Sequence, residues 1–370
     1  MNNIPLTRPF IDDEVKKAVL DVLASGFLTE GAVTRALEQT VAEYVGAAHA
    51  LAVTSCTTGL EIALRACGIG PGDEVVVPDY TYPATASAVA LVGAVPVVVD
   101  IDRKTMLLSA DATRRAVTDK TKAIIPVSLF GNPLDYSWID DLKRKHSLAV
   151  IEDSACSLGA QWRGKKVGTM ADISVFSLHP RKFITSGEGG IITTNNDSLA
   201  DWMRSFKHFG MTSSGAARNQ IVFGMMGTNS KLSDVLAAIA LTQMKHVDAL
   251  LASRRRQARR YMALLKNVDA VALPESTPEA EHSWQSFVVY LADRDRVMEQ
   301  MRSQGVEVQI GTYSLHMHPA FQTNAVRLAG SFEASAYAFA HALVLPLYEG
   351  MTEEEQTRVV ASLSDTLKRR

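Results

Sequence analysis

The sequence is poor in cysteine, in net charge and in long apolar runs. Its 370 residues include three cysteines, and so odd and sparse a number argues against a disulfide framework and for a reducing compartment. The net charge of −2 provides no global field that would draw the chain to nucleic acid or to an anionic membrane. No stretch reaches about 18 apolar residues, and the opening "MNNIPLTRPFIDDEV" lacks the apolar region of a signal peptide. We therefore expect a soluble cytoplasmic protein that binds neither nucleic acid nor a membrane.

One basic run, "RRRQARR" from Arg254 to Arg260, stands out from this even distribution of charge. Most charge runs in helical segments are faces that water covers, so we interpret the run as the solvated face of a helix. The run can also be interpreted as a patch that binds a partner. It is the only feature of the sequence that supports a regulatory protein.

The length and the apolar content predict two domains. A chain of 370 residues is too long for one small core, whereas 47% hydrophobic residues and a mean hydropathy of +0.03 allow a large core to be buried. We expect a large α/β domain over residues 13–240. A smaller α+β domain is expected over residues 241–370, together with the N-terminal segment 1–12.

Strands and helices alternate along the larger of the two predicted domains. Segments that read as strands are "HALAVTS", "GPGDEVVVP", "VPVVVDID", "KAIIPVSLFG", "LAVIEDSA", "DISVFSL" and "GGIITTN". Segments with helical spacing separate most of them, as in "TTGLEIALRACG" and "DYSWIDDLKRKH". This alternation predicts an α/β fold with a mostly parallel sheet that helices cover on both faces. In such sheets ligands bind at the carboxyl ends of the strands.

The remaining third of the chain follows a different pattern. Helical spacing continues from Ser233 to Leu265, which predicts one long helix linking the two domains. After it come a strand in "WQSFVVYLAD", a helix in "DRVMEQMRSQG", a strand with its loop in "VEVQIGTYSLHMHP" and a terminal helix in "TEEEQTRVVASLSDTL".

Polar residues follow two of the predicted strands. In "TSCTTGLE", Ser55, Thr57 and Thr58 lie where a strand becomes a helix, and the amides of a helix start favour a phosphate. In "VIEDSA", Asp153 ends a buried strand and needs a cationic partner. The alternatives are an ordinary helix cap for the first and a structural ion pair for the second.

A single lysine completes this set. Lys182 lies 29 residues after Asp153, between two predicted strands and before the glycine-rich "GEGG". An ordinary surface lysine is the alternative. Taken together, the three features would hold a phosphate, a protonated ring nitrogen and an aldehyde carbon, which are the requirements of pyridoxal phosphate. Tyr82, after another strand, is placed to stack on the ring.

Several longer motifs resemble the DegT/DnrJ/EryC1/StrS family of nucleotide-sugar aminotransferases, which have the type I fold of pyridoxal phosphate enzymes. The opening segment, the central block and the C-terminal signature carry part of the resemblance. The cofactor core is the most specific because it joins a carboxylate, a serine, a lysine and the glycine hairpin in one order. In the order of the chain these motifs are "IPLTRPFIDDEVKKAVLDVLASGFLTEG", "GIGPGDEVVVPDYTYPATASAV", "VIEDSACSLGAQWRGKKVGTMADISVFSLHPRKFITSGEGG" and "LVLPLYEGMTEEE".

The resemblance implies roles for individual residues. Lys182 would bond covalently to the cofactor and move the proton, while Asp153 would hold the pyridine nitrogen protonated. Tyr82 would stack on the ring. Phosphate contacts would come from Ser177 and from the helix start with Cys56, Thr57 and Thr58, and also from Asn229 of a neighbouring subunit. The resemblance therefore implies a homodimer with shared active sites.

Some positions depart from the pattern of the family. Cys156 stands where a Gln or His usually contacts the ring hydroxyl, and Cys56 replaces a glycine. Lys231 stands where Arg is usual. The substrate pocket is expected to include Thr29, Lys231, Tyr313 and His316, although the last two can equally be packing residues. His316 and His318 lack a third ligand nearby, so no metal site is expected.

The resemblance implies a transaminase that moves an amino group from glutamate to a nucleotide-linked keto-sugar in amino-sugar and polysaccharide biosynthesis. Two alternatives stay open: a non-catalytic or regulatory protein on the same fold, and a pyridoxal phosphate enzyme acting on a non-nucleotide keto-sugar or a related carbonyl compound. A nicotinamide oxidoreductase is set aside because "CGIGPGDE" follows a helix and opens a strand, the reverse of a dinucleotide-binding motif.

Overall fold

The computed structural model describes residues 3–212 and 217–368. The outermost residues of the predicted smaller domain, 1–2 and 369–370, and residues 213–216 of the larger one lie outside the described residues. The helices are α1 (Asp13–Ser25), α2 (Ala32–Val45), α3 (Cys56–Ala66), α4 (Ala84–Leu91), α5 (Ala110–Ala116), α6 (Tyr136–His146), α7 (Asp197–Phe206), α8 (Asp234–Met244), α9 (Val247–Leu265), α10 (Arg294–Ser303), α11 (Glu333–His341) and α12 (Glu353–Lys368). The strands are β1 (His49–Val53), β2 (Glu74–Pro78), β3 (Tyr80–Thr81), β4 (Val95–Val99), β5 (Thr121–Ile124), β6 (Ala149–Asp153), β7 (Gln161–Trp162), β8 (Lys165–Lys166), β9 (Ile173–Ser177), β10 (Gly190–Thr194), β11 (Ala280–Glu281), β12 (Phe287–Tyr290), β13 (Gln309–Ile310), β14 (Tyr313–Ser314), β15 (Arg327–Leu328) and β16 (Ala342–Leu345).

A large sheet forms the centre of the fold. Its strand order is β1-β10-β9-β6-β5-β2-β4-β15. β10 runs antiparallel to both of its neighbours, and the other neighbouring strands run parallel. The carboxyl ends of β1, β6 and β9 therefore meet at one edge of the sheet.

Both faces of this sheet are covered, as the alternation of strands and helices predicts. Successive side chains of a strand point to opposite faces. Val75, Val77 and Ile151 accordingly pack with residues of α3, α4 and α7, whereas Val76 and Val150 pack with residues of α5 and α6. The prediction of an α/β fold with a mostly parallel sheet is confirmed.

The C-terminal part of the chain builds a separate sheet and also extends the large one. β12, β16 and β13 form an antiparallel sheet against which α9, α10 and α12 pack. Ile4 belongs to the same apolar cluster and pairs with Val306. The short β15 joins the edge of the large sheet through a parallel pairing of Arg327 with Val97. A two-residue strand of this kind has no periodicity from which it could be predicted.

The prediction of one long helix from Ser233 to Leu265 is wrong. α8 ends at Met244, and α9 begins at Val247 with a bend of 63° between them. The segment contains neither Pro nor Gly, so the break has a tertiary cause: α8 packs against α1 and α2, whereas α9 turns into the C-terminal core. Among the described residues, no single helix is long and apolar enough to cross a membrane, but the bent pair α8 and α9 meets that criterion together.

The interpretation of the basic run as a solvated face is wrong for its first arginine. Arg254 is 3% exposed, and its guanidinium donates to the carbonyl oxygens of Trp284, Gln285 and Leu347. Burial lowers its pKa to about 10, so the group keeps its charge at neutral pH. Periodicity cannot reveal such a residue because its partners lie far away in the sequence. Among these arginines, Arg256 and Arg259 are exposed to solvent.

Candidate active site

Lys182 lies in the loop between β9 and β10, at the edge where the parallel strands end. Within the part of the chain that the structure describes, its Nζ has a single hydrogen-bond partner, the Sγ of Cys156 at 3.1 Å. Burial lowers the pKa of Lys182, but the contact with Cys156 and the charge of Asp153 raise it, and the balance lies above the ordinary value. An amine with only a thiol for a partner is poorly satisfied, which indicates a place for another molecule.

Asp153 is the last residue of β6 and is 5% exposed. Its Oδ2 accepts a hydrogen bond from Thr85 Oγ1 at 2.8 Å, and its Oδ1 accepts one from the amide of Ala155 at 3.2 Å. Burial raises the pKa of this carboxyl, and the two hydrogen bonds only partly oppose that effect. A cation placed against Asp153 would stabilise its ionised form.

The neighbouring Glu152 faces the other side of the sheet. Tyr136 donates to its Oε2 at 2.8 Å, Ser174 donates to the same atom at 3.2 Å, and Ser128 donates to Oε1. Burial raises the pKa of this carboxyl too. Three hydroxyl donors satisfy Glu152 within the core, so of the pair in "VIEDSA" only Asp153 lies on the face that carries Lys182.

The start of α3 forms the third part of the site. Ser55 caps the helix, because its Oγ accepts from the amide of Thr58 at 3.1 Å. The hydroxyl of Thr58 lies 2.9 Å from the same Oγ and so belongs to the cap. In the described part of the chain the hydroxyl of Thr57 has no hydrogen-bond partner, and with the first amides of the helix it remains available for an anion.

Two glycines let this helix start approach the sheet closely. A Cβ on Gly59 would lie 2.6 Å from Val175 Cγ1, and a Cβ on Gly190 would lie 2.7 Å from the backbone nitrogen of Cys56. Real Cβ atoms essentially never come closer than 3.0 Å, so a larger residue at either position would force the neighbouring atoms to shift. The glycine hairpin after Lys182 thus brings β10 against the start of α3.

The two cysteines of the site are free thiols, one beside Lys182 and the other beside Asp153. Cys156 contacts Lys182, as described above. The Sγ of Cys56 lies 3.9 Å from Asp153 Oδ1 and 3.6 Å from the carbonyl oxygen of Val175. Burial, and then the charge of Asp153, raise the pKa of the Cys56 thiol, so it stays protonated at neutral pH.

The predicted aromatic residues lie around a two-stranded pairing of β14 with β3. Tyr82 is 65% exposed, and its ring centroid lies 6.2 Å from that of Tyr313. His316 is held by the buried Asp79, which accepts from the backbone amide and contacts Nδ1, both at 2.7 Å. Its ring stacks on Phe332 at 4.6 Å. Asp79 therefore fixes the loop that presents Tyr313.

The remaining predicted residues lie at the ends of other segments. Ser177 ends β9, and its Oγ accepts from the amide of His179. Asn229 is exposed and accepts from Lys231 Nζ at 2.6 Å, while Lys231 pairs with Val53 at the end of β1. Thr29 is exposed between α1 and α2, and no hydrogen bond in the described chain joins it to this cluster.

Thr85 is a site residue that the sequence did not suggest. It is fully buried in the first turn of α4, and its hydroxyl is the donor to Asp153. Thr81 supports it with a hydroxyl contact of 2.9 Å. The available signal was the pair of threonines in "DYTYPATA" at the end of a strand, where a buried hydroxyl needs a partner.

The residues present fit pyridoxal phosphate. A poorly satisfied amine at Lys182 suits the aldehyde, and a buried carboxyl at Asp153 suits the protonated ring nitrogen. The hydroxyl of Thr57, which takes no part in the helix cap, and the first amides of α3 suit the phosphate. The three groups converge on one edge of the sheet, as the sequence predicts.

Comparisons with known proteins identify the family of the chain. The chain is 36% identical to the GDP-perosamine synthase of Caulobacter vibrioides, over 98% of each chain. It also resembles the solved structures of the aminotransferase TlmJ from Streptoalloteichus hindustanus (28% identity, 99% of each chain, TM-score 0.92) and of Spr1654 from Streptococcus pneumoniae in its PLP form (26% identity, 99% of each chain, TM-score 0.93). The model of the DegT/DnrJ/EryC1/StrS aminotransferase family matches residues 9–364. The chain therefore belongs to this family, which confirms the predictions of the family, of its type I fold, of an aminotransferase and of pyridoxal phosphate as the cofactor.

Proposed function

We propose that the protein transfers an amino group from glutamate to a keto-sugar linked to a nucleotide, as a step of amino-sugar and polysaccharide biosynthesis. The observation that carries the proposal is the convergence of Lys182, Asp153 and the start of α3 on one edge of the sheet. The relative at 36% identity is a GDP-perosamine synthase, and this name supports a sugar linked to a nucleoside diphosphate.

Pyridoxal phosphate supplies an aldehyde that bonds to amines and a protonated ring that draws electrons from the reacting carbon. Lys182 would hold the cofactor through Nζ, and its free amine would move a proton between the substrate carbon and the cofactor carbon that carries the aldehyde. Asp153 keeps the ring nitrogen protonated because its buried carboxylate gains a cationic partner. Thr57, Ser177 and the first amides of α3 bind the phosphate, and Tyr82 covers the ring.

We further propose a homodimer whose two active sites are shared. Large apolar side chains are open to water in the single chain, among them Phe27 at 81%, Phe223 at 59% and Met226 at 97% exposure. A cavity of about 680 Å³, lined mostly by apolar atoms, lies between α1, α2 and α8. Such surfaces favour association with another protein. In this arrangement Asn229 contacts the phosphate in the neighbouring subunit.

The predicted domain division and location form part of the same proposal. Residues 13–240 hold the cofactor, and residues 241–370 with residues 1–12 form the smaller domain. The pairing of Ile4 with Val306 supports the placement of the N-terminal segment with the C-terminal part. Three free thiols are compatible with the reducing conditions of the cytoplasm.

The test is a panel of keto-sugars offered to the enzyme after glutamate has converted it to the pyridoxamine form. A nucleotide-linked keto-sugar should restore the absorption of the pyridoxal form, and the matching free keto-sugar should do so far more slowly. Lys182→Ala is the control and should give no turnover. Equal rates with the free sugar would favour a non-nucleotide substrate. A protein that binds pyridoxal phosphate but is not converted by any amino donor would contradict the proposed transamination.

A further inference from the structure

The side chain of Gln285 forms hydrogen bonds with Arg181 and Phe183, the two residues that flank Lys182 in the sequence. The side chain of Gln285 is buried, with 8% exposure. Its Nε2 donates to the carbonyl oxygen of Arg181 at 2.8 Å, and its Oε1 accepts from the amide of Phe183 at 3.3 Å. One amide group therefore holds the peptide units on both sides of Lys182. This fixes the direction in which the lysine side chain leaves the backbone.

Arg254 in turn holds Gln285. Its guanidinium donates to the carbonyl oxygen of Trp284 at 2.8 Å and to that of Gln285 at 2.7 Å. The guanidinium carbon also lies 5.6 Å from the centroid of the Phe183 ring. Arg254, the first arginine of the basic run, thus holds the backbone of Trp284 and Gln285 in place next to Lys182.

The segment 283–285 also contacts Cys156, whose thiol is the hydrogen-bond partner of Lys182. Ser283 Oγ donates to the carbonyl oxygen of Cys156 at 3.1 Å, and the amide of Ser283 donates to the carbonyl oxygen of Gly131 at 3.0 Å. Gly131 has a φ of 96°, and a Cβ there would lie 3.0 Å from the amide of Gln285. Residues 283–285 therefore pack between Gly131 on one side and Cys156 and Lys182, whose side chains meet in the site, on the other.

A clamp of this kind is needed because the lysine stands on a loop. Lys182 has no strand partner, and its four-carbon side chain is flexible. A displacement of about 1 Å in a reacting group can cost ~100-fold in rate. Hydrogen bonds to the peptide units on both sides hold the Cα more firmly than a contact to one side would.

We propose that Gln285 is a positioning residue, which clamps the backbone around Lys182 so that Nζ reaches both the cofactor and the substrate carbon. The inference rests on the proposed function, since it assigns a role within that same site. It also links the C-terminal part of the chain to the reacting lysine, because residues 283–285 lead directly into β12.

The test compares Gln285→Met with Gln285→Glu in the full-length enzyme. Methionine keeps the length of the side chain but loses both polar atoms, whereas glutamate keeps the acceptor for Phe183. The matched control is Gln257→Met: Gln257 is also 8% exposed, but its Nε2 donates to the carbonyl oxygen of Tyr348. We expect kcat to fall ~10- to 100-fold in Gln285→Met, less in Gln285→Glu, and within about threefold of wild type in the control. KM for glutamate should change little.

Amide hydrogen exchange gives a second result that does not depend on the cofactor. In full-length protein without pyridoxal phosphate, the amide of Phe183 should exchange faster in Gln285→Met, which lacks its acceptor, and near the wild-type rate in Gln285→Glu, which keeps it, and in Gln257→Met. If exchange at Phe183 or kcat in Gln285→Met matches that of the control, the positioning role is overturned. A wild-type enzyme that does not transaminate would instead overturn the proposed function, and with it any role for the clamp in catalysis. Should Gln285→Met not fold, kcat of Gln285→Glu, which has lost the donor to Arg181, decides the matter, and a value equal to that of the control overturns the positioning role.

Discussion

At the scale of single residues, adjacent carboxylates have opposite tasks. Asp153 faces Lys182 and keeps an unused capacity for a cation, whereas Glu152 faces the core and is satisfied by three hydroxyls. The difference follows from the alternation of side chains along β6. An aspartate held in this way stabilises the bound cofactor at the expense of the empty protein.

The burial of Asp153 predicts how the stability of the cofactor-free protein changes with pH. Burial raises the pKa of Asp153, so the empty folded protein binds its proton more tightly than the unfolded chain does. The contribution of Asp153 to the free energy of unfolding is therefore complete at low pH and is lost as the pH rises through the raised pKa. In Asp153→Asn this loss is absent. We expect the Tm of the cofactor-free variant to exceed that of wild type at pH 8, and the difference to shrink near pH 4.

The same variant should be a poor catalyst. Without the carboxylate the ring nitrogen loses its proton, and each ~1.4 kcal/mol added to the barrier lowers the rate tenfold. We expect kcat for transamination to fall by ~100-fold or more in Asp153→Asn while pyridoxal phosphate still binds. Glu152→Gln, the neighbour on the opposite face, should stay within a few-fold of wild type. Near-normal turnover of Asp153→Asn would make Asp153 a structural residue.

Residues at strand ends could be predicted from the sequence, and their supporting partners could not. Asp153, Lys182 and Thr57 follow strands of a parallel sheet, and that position alone brings them to one edge. Thr85 and Gln285 act through hydrogen bonds to residues 68 and 102 positions away, respectively. No local pattern marks such pairs in a single sequence.

At the scale of elements, the first turn of α3 divides its hydroxyls between folding and binding. Ser55 and Thr58 form the cap, and Thr57 is left for the phosphate. We expect Ser55→Ala to lower the free energy of unfolding by ~1 kcal/mol, because the cap is lost. Thr57→Val should keep that stability but weaken the binding of pyridoxal phosphate. Urea unfolding of the empty protein and cofactor titration measure the two effects. A Thr57→Val protein that binds the cofactor like wild type would remove Thr57 from the site.

The arginines of α9 should differ sharply in their effect on stability. Removing the guanidinium of Arg254 leaves three buried carbonyl groups without that donor, at ~1–3 kcal/mol for each group left unpaired. We expect Arg254→Leu to lower the free energy of unfolding by at least ~2 kcal/mol. Arg256→Leu, on the same helix and exposed, should change it by less than ~0.5 kcal/mol. Equal effects of the two substitutions in urea unfolding would contradict the structural role of Arg254.

The order of strands and helices in the large sheet followed from periodicity, but the places where distant segments meet did not. Alternation from residue 49 onward predicted the parallel strands and their helices. The break between α8 and α9 and the addition of β15 to the sheet edge depend on packing against α1, α2 and β4. The break between α8 and α9 carries no Pro or Gly, and the two residues of β15 are too few to show a period.

At the scale of the whole molecule, the proposed dimer predicts complementation between two inactive variants. Lys182→Ala lacks the amine, and Asn229→Asp sets a carboxylate against the phosphate of the neighbouring site. In a mixed dimer one site carries both defects and the other carries neither. Random pairing gives mixed dimers in half of the cases, so about a quarter of all sites should be intact after the two variants are unfolded, mixed and refolded.

The outcome separates two arrangements of the site. Recovery of about a quarter of the wild-type activity supports sites built from two chains. If mixed dimers form without recovery, Lys182 and Asn229 serve the same site within one chain. Asn229, which contacts Lys231 near the end of β1, would then bind the phosphate of the cofactor held by its own chain.

The most direct test of the account is the chemical identification of the lysine that carries the cofactor. The protein loaded with pyridoxal phosphate is reduced with borohydride, digested and mapped by mass spectrometry. We predict the added mass on Lys182, whose amine has only a thiol for a partner among the described residues. Lys166, which donates to the carbonyl oxygen of Tyr44, and Lys207, which is paired with Glu30 and Glu38, should stay unlabelled. A label on either of them, or none on Lys182, would contradict the assignment of the active site.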